Sequence, residues 1–244
     1  MTNDRLVIIH IPKCGGRALN STLKKAHLRK VQWVGHAAYR ELNSTLGFRS
    51  QAITWVALTR NPVSWYRSRL TFLRQHLNDK SPRADYADPY NAFSALAGFG
   101  NFSLDDYILA VQDPRASLPR DKHFWEKAPQ DFLDVIEWLE RTGRGLYTLT
   151  ILQHCARLPL TALNSPGLVD QALTEIGSKF SFIRNEELKE DSEKILGVEI
   201  SELGQVGSSN QFLRSSDTAG YAALRVLSEI DGHAAAVTGG YEFP

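Results

Sequence analysis

The sequence predicts an α/β fold of three layers, a mainly parallel central sheet with flanking helices. Three observations predict it. Short β-branched runs alternate with helix-spaced stretches over the first 77 residues, and that alternation implies parallel strands joined by crossover helices. The first strand runs into a lysine and two glycines just before a helix, the arrangement of an anion cradle. Residues 1–75 carry 13 basic side chains and only two acidic ones, Asp4 and Glu41, although the 244-residue chain as a whole has 28 Lys+Arg against 27 Asp+Glu. Such a segmental imbalance points to an anionic ligand handled by the first third of the chain.

The elements follow in order. Residues 5–11 (RLVIIHI) form a β-branched run ended by Pro12, which reads as a buried strand. After the loop Lys13-Cys-Gly-Gly16, the spacing of Ala18, Leu19, Thr22, Leu23 and Ala26 predicts a helix. Residues 31–35 read as a second strand ending at His36, and 37–47 as a helix with Gly47 as its C-cap. A third strand over 52–59 ends at Arg60, after which Asn61 offers an N-cap and Pro62 a first helical position. Val63, Tyr66, Leu70, Leu73 and Leu77 then mark the apolar side of a helix. Residues 78–92, polar and broken by Pro82 and Pro89, read as a long loop. Beyond it the chain is aromatic but weakly patterned, with helices expected near 103–112, 129–142 and 168–178, a strand over 180–184, and a last helix over 218–231. One domain spans residues 1–244, with an insertion around 78–130 on the side where an acceptor would bind.

Several classes drop out. No apolar run near the N-terminus approaches the ~20 residues of a membrane helix, and the opening Met-Thr-Asn-Asp-Arg has no secretory leader pattern. Two cysteines, Cys14 and Cys155, make neither a disulfide framework nor a four-ligand zinc site. A cytoplasmic protein with no membrane span and no metal is therefore expected. The acidic remainder of the chain argues against nucleic acid as a partner.

In a parallel sheet, ligands bind beyond the carboxyl ends of the strands. The sequence marks three such ends: the loop at 12–17, His36 and Arg60. In the loop, which is P-loop-like, the N–H groups of residues 15–18 are placed to face an anion, Gly15 and Gly16 allow close approach, Lys13 adds a point charge and Arg17 a fork of donors. The loop is not a Walker A motif, because the lysine precedes the glycines and no Ser or Thr follows them to hold magnesium. Nor does Cys14 suit a phosphatase nucleophile, since only Gly15 and Gly16 separate it from Arg17; it reads better as a small buried residue.

Ile11-Pro-Lys-Cys-Gly-Gly-Arg-Ala-Leu19, led in by Val7-Ile-Ile-His10, resembles the 5′-phosphosulfate loop of the sulfotransferases that use 3′-phosphoadenosine 5′-phosphosulfate (PAPS), in particular the carbohydrate branch. Arg60-Asn61-Pro62, with Ser68 eight residues after the arginine, is similar to the second signature of that superfamily. Glu186-Glu-Leu188 with Asp191, and the closing Gly240-Tyr-Glu-Phe243, are looser echoes. The chain departs from the pattern at Arg17 and Ala18, where many members carry a hydroxyl, and Gly207-Ser-Ser-Asn210 matches a late loop only approximately. The resemblance implies PAPS as donor, held by Lys13, Cys14, Gly15, Gly16, Arg17 and Ala18 at its 5′ end and by Arg60 and Ser68 at its 3′-phosphate. It implies transfer to a hydroxyl acceptor, a small molecule or glycan, by in-line displacement without a metal.

Lys13 is then expected to follow charge building on the leaving oxygen, and His36 to act as base, its ordinary pKa of ~6.5 suiting proton removal near neutrality. His76 and His123 lie in the poorly patterned stretch. His10 reads as buried structure inside a strand, and His154 has no partners at metal spacing. Glu186 reads equally as a brace through Lys or Arg and as a solvated motif. Arg67, Arg69 and Arg74 read first as a solvated helix face. Two other functions fit the same residues less well: a P-loop small-molecule kinase, and a non-catalytic polyanion-binding module on the same fold.

Overall fold

A computed structural model describes residues 5–26, 30–46, 53–78, 103–117, 126, 130–197 and 217–243. The predicted alternation is there: β1 (Arg5–Ile9), α1 (Gly16–Ala26), β2 (Val31–Trp33), α2 (Tyr39–Leu46), β3 (Ile53–Thr59) and α3 (Pro62–Asn78). They are followed by α4 (Leu104–Gln112), α5 (Pro114–Ser117), α6 (Gln130–Thr142), α7 (Leu146–Cys155), α8 (Pro166–Lys179), β4 (Phe180–Arg184), α9 (Leu188–Leu196) and α10 (Tyr221–Gly239). The four strands form an all-parallel sheet in the order β2-β1-β3-β4. Helices flank this sheet, giving a three-layer α/β fold.

The strand order locates the site before any side chain is considered. The chain leaves β1 for β2 on one side, then crosses to β3 on the other. The switch therefore falls between β1 and β3, and a crevice opens there beyond their carboxyl ends. The loops at 10–15 and 60–61 are the ones that line it.

The central strands are apolar because parallel strands are covered on both faces. Val7, Ile8, Ile9, Val56, Ala57 and Leu58 are fully buried. On α3 the predicted stripe holds for Tyr66, Leu70 and Leu73, whereas Leu77 lies outside the described side chains. Asn61 caps the helix as expected, its Oδ1 accepting from the Ser64 N–H, and Pro62 occupies the first position. Within the expected insertion, α4 buries Leu104, Tyr107, Ile108 and Val111 in the same core as the sheet.

Several sequence expectations need correction. β1 ends at Ile9 and β2 at Trp33, each two residues early, although His10 N–H still donates to the Gly35 carbonyl and prolongs the alignment. Helix α7 was not foreseen. Its sequence LYTLTILQHC is buried at eight of ten positions, so it lacks the polar face that makes a helix periodic. The C-terminal helix runs to Gly239, well past residue 231. Its Gly232 is carried because Ala223, Ala234 and Ala235 pack fully buried on both sides of it, and packing outweighs a glycine cost of ~1 kcal/mol. The solvated-face reading of α3 fails for Arg69 and Arg74, both buried. Arg74 forms a two-pronged ion pair with Asp217, at 2.6 and 3.0 Å, and Arg69 lies over the Trp65 ring.

Among the described residues, no helix is long and apolar enough to cross a membrane, and no group of His, Cys, Asp and Glu is arranged to hold a metal ion.

Candidate anion site at the ends of the parallel strands

The loop after β1 is held from beneath. Trp65 of α3 donates from its indole N–H to the Pro12 carbonyl at 3.0 Å, and Arg60 donates from Nη1 to the Lys13 carbonyl at 3.2 Å. Between those anchors Lys13 takes a left-handed conformation, φ 69°, which a residue with a β-carbon adopts at a cost of ~1–2 kcal/mol. Gly15, at φ 78°, turns the chain into α1, and the Asn185 side chain lies where its β-carbon would be. At Gly16 a β-carbon would run into the His10 ring. Gly15 is therefore required by its backbone conformation and Gly16 by the contact with the His10 ring.

The turn leaves donors available. Among the described residues the N–H groups of Gly15, Gly16 and Arg17 have no main-chain acceptor, whereas Ala18 N–H is spent on the Gly15 carbonyl and Cys14 N–H on that of Ile11. The Cys14 side chain is fully buried, its thiol directed to the Pro12 carbonyl, and burial pushes its pKa far up. Cys14 and Ala18 thus help to shape the loop, and the outward N–H groups come from residues 15–17.

The charges that act most strongly on Lys13 are positive. Burial, followed by the nearby guanidinium groups of Arg69, Arg17 and Arg60, lowers the Lys13 pKa to about 8. Only the Cys14 thiol, the smallest of the main influences on Lys13, acts in the opposite direction. The ammonium sits 4.1 Å above the centre of the Phe72 ring, a cation–π contact that partly replaces lost water. Arg17 is exposed, and Arg60 is half-buried with its Nε buried and without a hydrogen-bond partner. Arg67, on the same helix as Ser68, likewise has an unpartnered buried Nε. Ser68 is half-buried on α3, one helical turn beyond Ser64.

At the end of β2, His36 is exposed and its Nδ1 lies 2.8 Å from the His10 carbonyl. A carbonyl only accepts, so Nδ1 carries the hydrogen and the neutral ring keeps its lone pair on Nε2. His10 sits between the two predicted centres. Its ring touches Gly16 on one side and lies 4.4 Å from the His36 ring, centre to centre, on the other. Burial first, then the His36 charge, pushes its pKa down to about 3, so it is a neutral spacer. The reading of His10 as mere buried strand structure misses this position, one residue beyond β1.

The wall beside β3 and β4 is built by residues that the sequence left undecided. Glu186 accepts from the Asn61 N–H through both oxygens, at 3.1 and 3.2 Å, and from the Tyr241 hydroxyl at 2.8 Å. It is a brace, working through a main-chain N–H and a phenol. Asp191 pairs with Arg184 through both oxygens at 2.8 Å and so ties α9 to β4. Glu186 and Tyr241, from the two looser echoes, therefore meet at the start of α3, beside Arg60. His76 has no described side chain, and His123, with Gly207-Ser-Ser-Asn210, lies outside the described residues.

No family model matches the chain, and no curated protein or solved structure shows significant similarity to it.

Proposed function

We propose that the chain is a PAPS-dependent sulfotransferase that moves a sulfuryl group to a hydroxyl of a carbohydrate or glycan. The observation that carries this reading is the concentration of positive charge at the loop: burial and the guanidinium groups of Arg69, Arg17 and Arg60 are the largest influences on Lys13, and all of them oppose its charge. A protein tolerates such a cluster where a multiply charged anion completes it. The loop's place at the switch point and the outward N–H groups of Gly15, Gly16 and Arg17 fit the 5′ end of the donor. Arg60, just before α3, and Arg67 and Ser68 on that helix are available for a second phosphate.

In the reaction the acceptor oxygen forms a bond to sulfur as the bond from sulfur to the phosphate oxygen breaks. Lys13 stabilises the charge left on that oxygen. His36 takes the acceptor proton on Nε2, the nitrogen that its bond to the His10 carbonyl leaves bare. A kinase reading is disfavoured by the absence of a hydroxyl residue after the loop to hold magnesium.

The test is titration of the purified protein with 3′-phosphoadenosine 5′-phosphate. Binding to the native state raises the melting temperature; no rise at millimolar nucleotide would refute the proposal. His36→Ala is expected to lower turnover while leaving nucleotide affinity unchanged. Nucleotide binding with no transfer to any sugar in a broad panel would point instead to a non-catalytic binding module.

A further inference from the structure

His154 lies far from the signature motifs in sequence, on the last turn of α7. The fold nevertheless brings its ring to 6.1 Å from that of His36, centre to centre. Four rings then stand in a row: Trp33 is 5.4 Å from His10, His10 is 4.4 Å from His36, and His36 is 6.1 Å from His154. His36 is the exposed member, with a largely covered imidazole on either side. Its ring is fixed by its hydrogen bond to the His10 carbonyl. Its main chain is contacted by His154, and that contact is the one interaction favouring a charge on His154.

The rest of the His154 environment opposes charge. Its Nδ1 is buried with no hydrogen-bond partner, so a proton placed there would be an unsatisfied donor. Burial, then the His36 charge, lowers its pKa to about 4, and Arg40 adds to the effect. An imidazole that burial keeps neutral near neutral pH, packed against the main chain of an exposed histidine, is suited to holding that histidine in place and unsuited to exchanging protons with it.

We propose that His154 is a positioning residue for His36: packed against the His36 main chain from α7, it holds the ring in the orientation in which Nδ1–H meets the His10 carbonyl and Nε2 faces the acceptor. This rests on the reading of His36 as the base. Positioning of this kind is demanding, since a base about 1 Å out of place loses ~10²-fold in rate. It also gives α7, which contributes no charge to the phosphate loop, a part in the site.

The experiment compares the wild-type chain with His154→Phe, which keeps a ring of similar size, and His154→Gln, which keeps a side-chain N–H. Long-range ¹H–¹⁵N spectra of the histidine rings report which nitrogen of His36 carries hydrogen, with no substrate needed. The wild type is expected to show the Nδ1–H form, His154→Phe a mixture of forms, and His154→Gln an intermediate. In turnover assays His154→Phe should lower kcat about tenfold or more at unchanged KM for PAPS, with part of the loss recovered in His154→Gln. A His36 signature that stays wild-type in a folded His154→Phe protein overturns the inference, whatever the turnover. Absence of transferase activity in the wild type overturns the proposed function instead, and the spectra still decide whether His154 holds His36.

Discussion

The Arg60 guanidinium donates to the Lys13 carbonyl across 3.2 Å, joining two loops that are 47 residues apart in the chain. One loop follows β1 and the other follows β3, the neighbouring strands at which the chain reverses direction across the sheet. The bond helps to hold Lys13 in its left-handed conformation and, by using the carbonyl, leaves the N–H groups of residues 15–17 without a main-chain acceptor. A second anchor, the Trp65 indole on Pro12, acts one residue earlier. Arg60 therefore shapes the loop as well as charging it.

Arg60→Ala removes both contributions and is expected to weaken binding of 3′-phosphoadenosine 5′-phosphate at least tenfold. That corresponds to the roughly 1.5–3 kcal/mol of a hydrogen bond to a charged group. Arg60→Lys keeps the charge but not the fork, and should recover only part of the affinity. Calorimetric titration of the three proteins checks the order; equal affinity in Arg60→Ala would remove Arg60 from the binding site.

Lys13 supplies a pH signature. With its pKa lowered to about 8, the lysine is partly neutral in the free protein at about pH 8.5, and a bound anion restores its charge. Nucleotide binding at that pH should therefore take up protons, and affinity should fall as the pH rises above about 8. Titrations in two buffers of different ionisation enthalpy measure the uptake, which should vanish in Lys13→Met. For the free protein the sign is that of a depressed lysine. The cost of charging Lys13 is present in full below about 8 and disappears as the pH approaches the ordinary lysine value of about 10.4, so this residue makes the fold more stable across that interval.

Asp231 of α10 is buried, and its carboxylate accepts from the Tyr66 hydroxyl at 2.8 Å and from the Thr148 N–H and hydroxyl at 2.8 and 2.7 Å. It binds α3, α7 and α10 together behind the site. Asp231→Ala strands these donors in the core. At about 1–3 kcal/mol for each unsatisfied group, a loss of roughly 3 kcal/mol or more is expected in urea unfolding. A change below about 1 kcal/mol would mean that the network contributes little.

Glu186 and Tyr241 form a smaller brace at the start of α3. Glu186→Ala and Tyr241→Phe should each destabilise by about 0.5–1.5 kcal/mol or more, and the double variant by less than the sum, because both remove the same hydrogen bond. Additive losses in thermal unfolding would show that the two residues act separately.

The first third of the molecule was legible in the sequence because its structure is local. A β-branched run, two glycines and an amphipathic stretch specify strand, turn and helix within twenty residues. Three such units in succession imply a parallel sheet with its ligand end at Lys13, His36 and Arg60. Asn61 and Pro62 announced the start of α3 by their own chemistry.

Other features had no local signal. An arginine on a helix looks the same in sequence whether solvated or buried, and Arg74 is buried because Asp217, 143 residues away, is brought to meet it. Helix α7 is covered nearly all round, so its pattern carried no period, and with it the approach of His154 to His36 stayed hidden. Glu186 became a brace only when β4 was laid beside β3, which placed its carboxylate at the Asn61 N–H. Residue types and spacing sufficed for the loop after β1 because backbone geometry and charge act over a few residues. What surrounds that loop depends on desolvation and on partners from distant segments, and these exist only once the chain has packed.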